Sequence, residues 1–321
     1  MKLYSFFTIT ILAFSLLYWQ DINRENPSSA IPTTKEELGK LLFEDKILSS
    51  DYSISCTSCH IPAFAFADTS AFSLGVNKKL GERNTPSAMN MLSRTHFFWD
   101  GRSSSLEEQA LIPIENPDEM NLPLDEAILR LNQNSFYLEA FRRIYNEKPN
   151  KINLADALAS FEKTLETLSP YDEYKAGNLK AISESAIRGI DIFNVKGKCF
   201  DCHFGPDLTG DEFRNIGLFE AGGNSDPGRY KHTKDSTDLG KFKVPSLRNV
   251  SVTAPYMHDG SFKTLREVVD YYNKPDQFRP VHYNRDTLLN QPLGLSEQEI
   301  LDLIAFMEAL TAPQYLHLIQ K

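Results

Sequence analysis

Helical spacing dominates the pattern of apolar and polar positions along this chain. After Ser296, the residues Ile300, Leu303, Ile304, Met307 and Leu310 recur every three or four positions, and after Asn153 so do Leu154, Leu158, Phe161, Leu165 and Leu168. This spacing lines one face of an α-helix with apolar side chains. A hydroxyl residue followed three positions on by Glu marks a helix start, because the two side chains satisfy free first-turn amides reciprocally. Thr33/Glu36, Thr264/Glu267 and Ser296/Glu299 fit that rule. Leu38, Leu41 and Leu42 predict another helix, as do Ile187, Ile190 and Phe193, and nothing alternates convincingly as a strand. The expected fold class is mainly α.

The N-terminus follows a different rule. Lys2 precedes an uncharged apolar stretch from Leu3 to Trp19, which gives way to the polar Asp21–Ser29. Such a segment is a secretory signal or an uncleaved anchor. It falls short of the roughly 20 residues a membrane span needs, and Ser5, Thr8, Thr10 and Ser15 dilute it, which favours a signal peptide. Either reading places the rest in the periplasm or otherwise outside the cytoplasm, tethered through residues 3–19 if the segment is retained. The expected organisation is a leader over 1–22, a first domain over 23–170 and a second over 171–321. The junction falls in Ser169–Asn178, which carries Pro170 and Gly177. The Gly/Pro-rich stretch Gly205–Gly228 is expected to wrap the domain interface.

At 321 residues the chain can bury two cores of ordinary size. A net charge of −9 argues against the broad basic surface that nucleic acid requires. The four cysteines fall as two pairs, Cys56/Cys59 and Cys199/Cys202, each followed at once by a histidine, His60 or His203. A CxxCH string reads as covalent haem attachment, in which two thiols add to the vinyl groups and the adjacent imidazole ligates iron. Four thiolates would also make a closed zinc site, but that alternative leaves both histidines unexplained. Two covalently bound haem c groups are therefore expected, in two cytochrome c-like halves.

The strings between and around these motifs carry a resemblance. LGKLLFEDKILSS before Cys56, RNTPSAMN at Arg83–Asn90, FFWDGRSSSLEEQALIPIENPDEM at Phe97–Met120 and KFKVPSLRNVSVTAPYMHDG at Lys241–Gly260 closely resemble the bacterial di-haem cytochrome c peroxidase/MauG superfamily. The likeness runs from about Glu36 to Thr311. It implies haems flanking a shared interface, an N-terminal peroxidatic haem on His60 and a C-terminal electron-transfer haem on His203. It also implies Glu119 as the distal carboxylate that moves a proton, Gln109 as the amide that orients peroxide or water, and Trp99 as the aromatic bridge. Asn84 and the carbonyls of Thr253 and Pro255 match positions that hold a calcium ion, for which hard oxygen donors are suited.

Two departures bear on subtype. Many members carry a histidine in the loop after the first haem motif that blocks the peroxidatic iron; here Ile61–Asn84 has none, and the matching position is Val76. The sixth ligand of the His203 haem is methionine in the peroxidase branch and tyrosine in MauG, and the matching residue is Tyr272. Leu265, Val268, Val269 and Tyr272 share one helix face by spacing, whereas Tyr271 points elsewhere. Met257 and Met307 are the competing donors, but neither aligns with the ligand position. A hard phenolate favours the oxidised metal where a thioether favours the reduced one.

The expected function is a peroxidase that reduces hydrogen peroxide to water with electrons from a small cytochrome c or cupredoxin. The alternative is a MauG-like enzyme that oxidises side chains of a partner protein through a high-valent di-haem state. A third, of another class, is a non-catalytic di-haem electron carrier. MauG uses a surface tryptophan two residues before the second motif, where this chain has Gly197, so its quinone-forming reaction is not implied. A homodimer is compatible with the resemblance.

Overall fold

Each half of the molecule is organised by one crossing of two helices at which a glycine lets the backbones touch. In the computed structural model, which describes residues 30–220, 225–279 and 283–319, the helices in chain order are α1 Lys35–Glu44, α2 Leu106–Glu115, α3 Leu124–Gln133, α4 Ser135–Tyr145, α5 Lys151–Glu162, α6 Pro170–Lys175 and α7 Glu184–Asn194. They continue with α8 Tyr230–Thr233, α9 Leu265–Asn273, α10 Pro275–Phe278 and α11 Glu297–Glu308. The expected leader, 1–22, lies outside the described residues. Among those described, no helix is long and apolar enough to cross a membrane.

Helix α1 crosses α5, and α7 crosses α11. A Cβ on Gly39 would lie 1.9 Å from the Ala157 carbonyl oxygen, and one on Gly189 would lie 2.1 Å from that of Asp302. Both distances are impossible for real atoms, so only a residue without a side chain permits either crossing. Aromatic edges close the two contacts in the same way, Phe43 on Phe161 at 5.2 Å and Phe193 on Phe306 at 5.1 Å. The second core continues through Leu265, Val269, Leu303 and Leu310.

The start signals hold with one shift. Thr264/Glu267 and Ser296/Glu299 form reciprocal caps, but the first helix is capped by Thr34 and Glu37 rather than Thr33 and Glu36. The Glu37 carboxylate accepts from the amides of both threonines, which makes the neighbouring pair look equivalent in sequence. Helix α5 stops at Glu162, so Leu165 and Leu168 lie beyond it, and Leu168 is exposed. One short antiparallel ladder does form, pairing Phe213–Arg214 with Phe242–Lys243; two residues per strand are too few to show alternation. The segment around Pro170 is helical, and Tyr171 packs edge-on against Phe306 at 5.1 Å. Thr33–Lys321 packs as one compact unit.

Both glycine contacts are backbone to backbone and cannot be relieved by a rotamer change. Gly39→Ala and Gly189→Ala are each expected to cost about 3 kcal/mol, the upper end for overpacked sites. Gly81→Ala, whose added carbon meets nothing nearer than 3.6 Å, is the control in thermal unfolding. A second expectation concerns Glu162, which is 6% exposed and whose carboxyl has no hydrogen-bond partner among the described residues. Burial, then Glu107, pushes its carboxyl up to about 8 from 4.5. The folded state thus holds a proton that the unfolded chain releases, so stability is full below pH 4.5 and falls as pH rises through about 8. Glu162→Gln should flatten that slope in melting curves of the mature protein.

Candidate haem sites and the interface between them

The two CxxCH motifs fold identically. Cys56–Ser58 and Cys199–Asp201 each form a single 3₁₀ turn. In the first, the Cys59 and His60 amides donate to the Cys56 carbonyl at 3.2 and 2.9 Å; in the second, those of Cys202 and His203 donate to Cys199 at 3.2 and 2.8 Å. The turn brings both sulfurs and the imidazole to one side of the chain. Burial pushes the Cys59 and Cys202 thiols up to about 11 and Cys199 up to about 12, and raises Cys56 further. All four are neutral thiols.

A backbone carbonyl can only accept a hydrogen bond, and this fixes the proton on each imidazole. His60 Nδ1 lies 3.1 Å from the Phe66 oxygen, and His203 Nδ1 lies 3.1 Å from that of Leu208. Nδ1 therefore carries the hydrogen, and Nε2 presents its lone pair to a metal. Burial lowers both imidazoles, His203 to about 4, so they stay neutral, as ligation requires. The backbones of Pro86 and Pro245 hold the charged forms up to a lesser degree.

A cavity of about 260 Å³ opens beside the second motif. Cys199, Cys202 and His203 line one side, and Leu265, Val268, Val269 and Tyr272 line another. All four residues of the expected inward face of α9 are thus present. Burial raises the Tyr272 phenol, with further contributions from Tyr271, Cys202 and Cys199, and its hydroxyl has no hydrogen-bond partner among the described residues. Tyr271 is fully buried elsewhere and donates to the Ile216 carbonyl at 2.5 Å. Met257 and Met307 line the same cavity as Tyr272. An apolar box with two thiols, an imidazole and a phenol, edged by Arg94 and Lys243, fits an amphipathic porphyrin with two carboxylates.

The cavity extends to Asn84, Trp99, Thr253 and Pro255. Trp99 donates its indole N–H to the Asn84 carbonyl at 2.8 Å. Asn84 is buried, and its amide donates to the Ser70 carbonyl at 3.1 Å. The three expected calcium positions and the expected aromatic bridge therefore border the same cavity.

Around the first motif, Glu119 is half-buried and accepts from the Asn116 amide at 2.7 Å. Burial raises its carboxyl, and its charge acts on both Cys56 and Cys59. Val76 is fully buried and its amide donates to the Glu119 carbonyl at 2.9 Å. A Cβ at Gly75 would lie 2.1 Å from the Asp118 oxygen, so the loop without histidine is clamped against the Glu119 segment. Gln109 is half-buried on α2, its side-chain amide without a partner among the described residues. Pro113, four positions on, lacks the N–H that would bond the Gln109 carbonyl. His96 is turned away, 3.3 Å from Asp211 and edge-on to Phe213 at 5.2 Å.

The sequence reading missed an internal repeat. Pro86, Asn90, Trp99, Gly101, Ser105, Glu108 and Pro113 match Pro245, Asn249, His258, Gly260, Thr264, Glu267 and Tyr272 at one constant offset. The structure repeats with it. The bridge Phe97–Ser103 recurs as Tyr256–Phe262. The Asn84 amide donates to the His258 carbonyl at 2.7 Å, and the Lys243 amide donates to the Trp99 carbonyl at 2.7 Å. The halves are thus related by an approximate two-fold that exchanges hydrogen bonds across the interface. His258, not singled out from the sequence, is the mate of Trp99; it stacks on Phe242 at 3.7 Å and meets Trp99 edge-on at 6.5 Å. Comparing FFWDG with YMHDG would have found it.

Among the described residues, no three His, Cys, Asp or Glu side chains gather as a metal cluster, so the zinc alternative lacks its quartet. The di-haem cytochrome c peroxidase family model matches residues 33–180, and the cytochrome c model matches 186–311. Methylamine utilization protein MauG of Methylorubrum extorquens is 38% identical over 88% of this chain and 80% of its own length. Cytochrome c551 peroxidase of Nitrosomonas europaea is 33% identical over 87% of this chain and 80% of its own. The crystal structure of a MauG-like protein associated with microbial copper homeostasis superposes with a TM-score of 0.78 at 29% identity, covering 91% of this chain and 94% of that one. The paired CxxCH turns, the mainly helical architecture in two cytochrome c-like halves and these relatives agree: the chain belongs to the di-haem cytochrome c peroxidase family and is built to carry haem c.

Proposed function

We propose that this protein is an exported di-haem peroxidase that reduces hydrogen peroxide to water with electrons from an external donor protein. The observation that carries this reading is the match between Pro113 and Tyr272 in the repeat. Proline offers no metal donor and tyrosine offers a phenol, so His203 and Tyr272 would both hold the second haem while the first would have only His60 as protein ligand. When bound, the haems supply the iron that takes up peroxide and stores its oxidising equivalents.

The chain's own residues do the rest. His60 and His203 hold the rings through Nε2, with Nδ1 protons pinned by carbonyls. Val268 and Tyr272 face the cavity beside the second motif, and the repeat assigns their counterparts Gln109 and Pro113 to the corresponding side of the first motif. There the free Gln109 amide orients peroxide. The Glu119 carboxyl, raised by burial and steadied by Asn116, takes a proton from one peroxide oxygen and returns it to the other, the ordinary task of a general acid–base. Trp99 couples the two haems. Asn84, with the carbonyls of Thr253 and Pro255, supplies hard oxygen donors for a calcium ion between them. The domain boundaries are those of the sequence reading, with the leader providing export.

The donor is a small cytochrome c or cupredoxin. A MauG-like reading, in which a partner protein's side chain is oxidised, is favoured by Tyr272 and by the buried Val76. Against it, Gly197 stands where that reading needs a surface tryptophan.

Low-temperature spin resonance of the ferric protein is expected to show one high-spin and one low-spin haem; two low-spin signals, with no peroxide or cyanide binding after reduction of the second haem, would exclude peroxidase chemistry and leave an electron carrier. Glu119→Gln should lower peroxide turnover by about 10²–10⁴-fold while both signals persist. Tyr272→Met should raise the low-spin haem's potential, and an unmoved potential would remove tyrosine from the ligand set.

A further inference from the structure

The repeat sets two further positions opposite each other. Asn84 corresponds to Lys243, and Thr253 corresponds to Arg94. On one side of the interface these positions carry oxygen donors, and on the other they carry two buried cations. The Arg94 side chain is 2% exposed, its Nη2 has no hydrogen-bond partner, and its nearest carboxylate, Asp207, is 3.9 Å away. Lys243 is 13% exposed and stands 3.7 Å from Asp211 Oδ1, longer than a hydrogen bond, while that oxygen is itself unpartnered. Both side chains line the cavity that holds Cys199, Cys202, His203 and Tyr272.

Burying a cation without a close partner is costly, by several kcal/mol per ion, and two adjacent cations repel as well. Arg94 indeed helps to push the Lys243 ammonium down, after burial, to about 8. Such a pair needs an anion. We propose that Arg94 and Lys243 form a two-cation clamp for the carboxylates of the C-terminal haem, the protein's own counterpart of the cation-binding positions Asn84 and Thr253. The clamp turns the carboxylate edge of that haem toward Trp99, since Lys243 donates its amide to the Trp99 carbonyl. It also biases the iron electrostatically, because nearby positive charge favours the reduced metal. This inference rests on the di-haem reading.

The experiment is redox potentiometry of the mature protein after its haems have been counted by pyridine haemochrome. Fewer than two haems per chain would overturn the di-haem reading itself and the clamp with it. With two haems present, Arg94→Gln should shift the low-spin haem's reduction equilibrium about tenfold toward the oxidised form, which is about 59 mV for one electron. Arg94→Lys should recover most of that shift, a rescue that lost packing alone would not give. Lys243→Gln carries the same test if Arg94→Gln does not mature. Two haems with unmoved potentials in either Gln variant would overturn the clamp. A wild-type potential that moves on adding inorganic phosphate would overturn it too, by showing a site open to free anions; no movement is expected.

Discussion

Two backbone hydrogen bonds, exchanged across the interface, hold the functional geometry together. The Asn84 amide reaches the His258 carbonyl, and the Lys243 amide reaches that of Trp99. Each joins the loop beneath one proximal imidazole to the aromatic corner of the other half. Further pairings span the same boundary, Arg83 to Asp226 at 2.5 Å and the Thr95 hydroxyl to Asp211 at 2.7 Å. Displacing either half would break the backbone pair and leave buried amides unpaired, at about 1–3 kcal/mol each. The separation of the two cofactor pockets is therefore set by main chain, whose geometry is stiffer than that of side chains.

Much of this was legible in the sequence because the chemistry is local. Cys56, Cys59 and His60 sit within one turn, so their spacing alone specifies attachment and ligation, and the same holds for the second motif. Leu265, Val268, Val269 and Tyr272 were readable because helical period is a local property. What escaped depends on contacts between distant segments. Nothing around Gly39 announces that its missing side chain admits the Ala157 carbonyl, and Glu162 looks like one more helical carboxylate until its burial is seen. Thr33 and Thr34 differ by one register position, which three-residue spacing cannot decide. The repeat was present in the letters but diluted, since Trp99 matches His258 and Pro113 matches Tyr272, pairs with nothing chemical in common.

That dissimilarity gives the molecule its polarity. Near the first motif stand a raised carboxyl, Glu119, and, on α2, an amide without a partner among the described residues and a proline, which on the proposed reading would handle a small oxidant. The C-terminal pocket has a phenol and two cations, suited to holding charge still. Neutral oxygen-bearing side chains, Asn84 and Thr253, on one flank and the guanidinium and ammonium groups of Arg94 and Lys243 on the other make the interface electrostatically uneven although its backbone is nearly symmetric.

The glycine crossings show how such divergence is tolerated. Gly39 and Gly189 meet a backbone carbonyl first and then the β-carbon of Phe161 or Phe306, so the frame of each half rests on that crossing rather than on what surrounds its ring. A duplicated unit braced in this manner can exchange its distal residues one at a time without loosening. On the proposed function, specialisation of one copy as reactor and the other as wire would then need no new architecture.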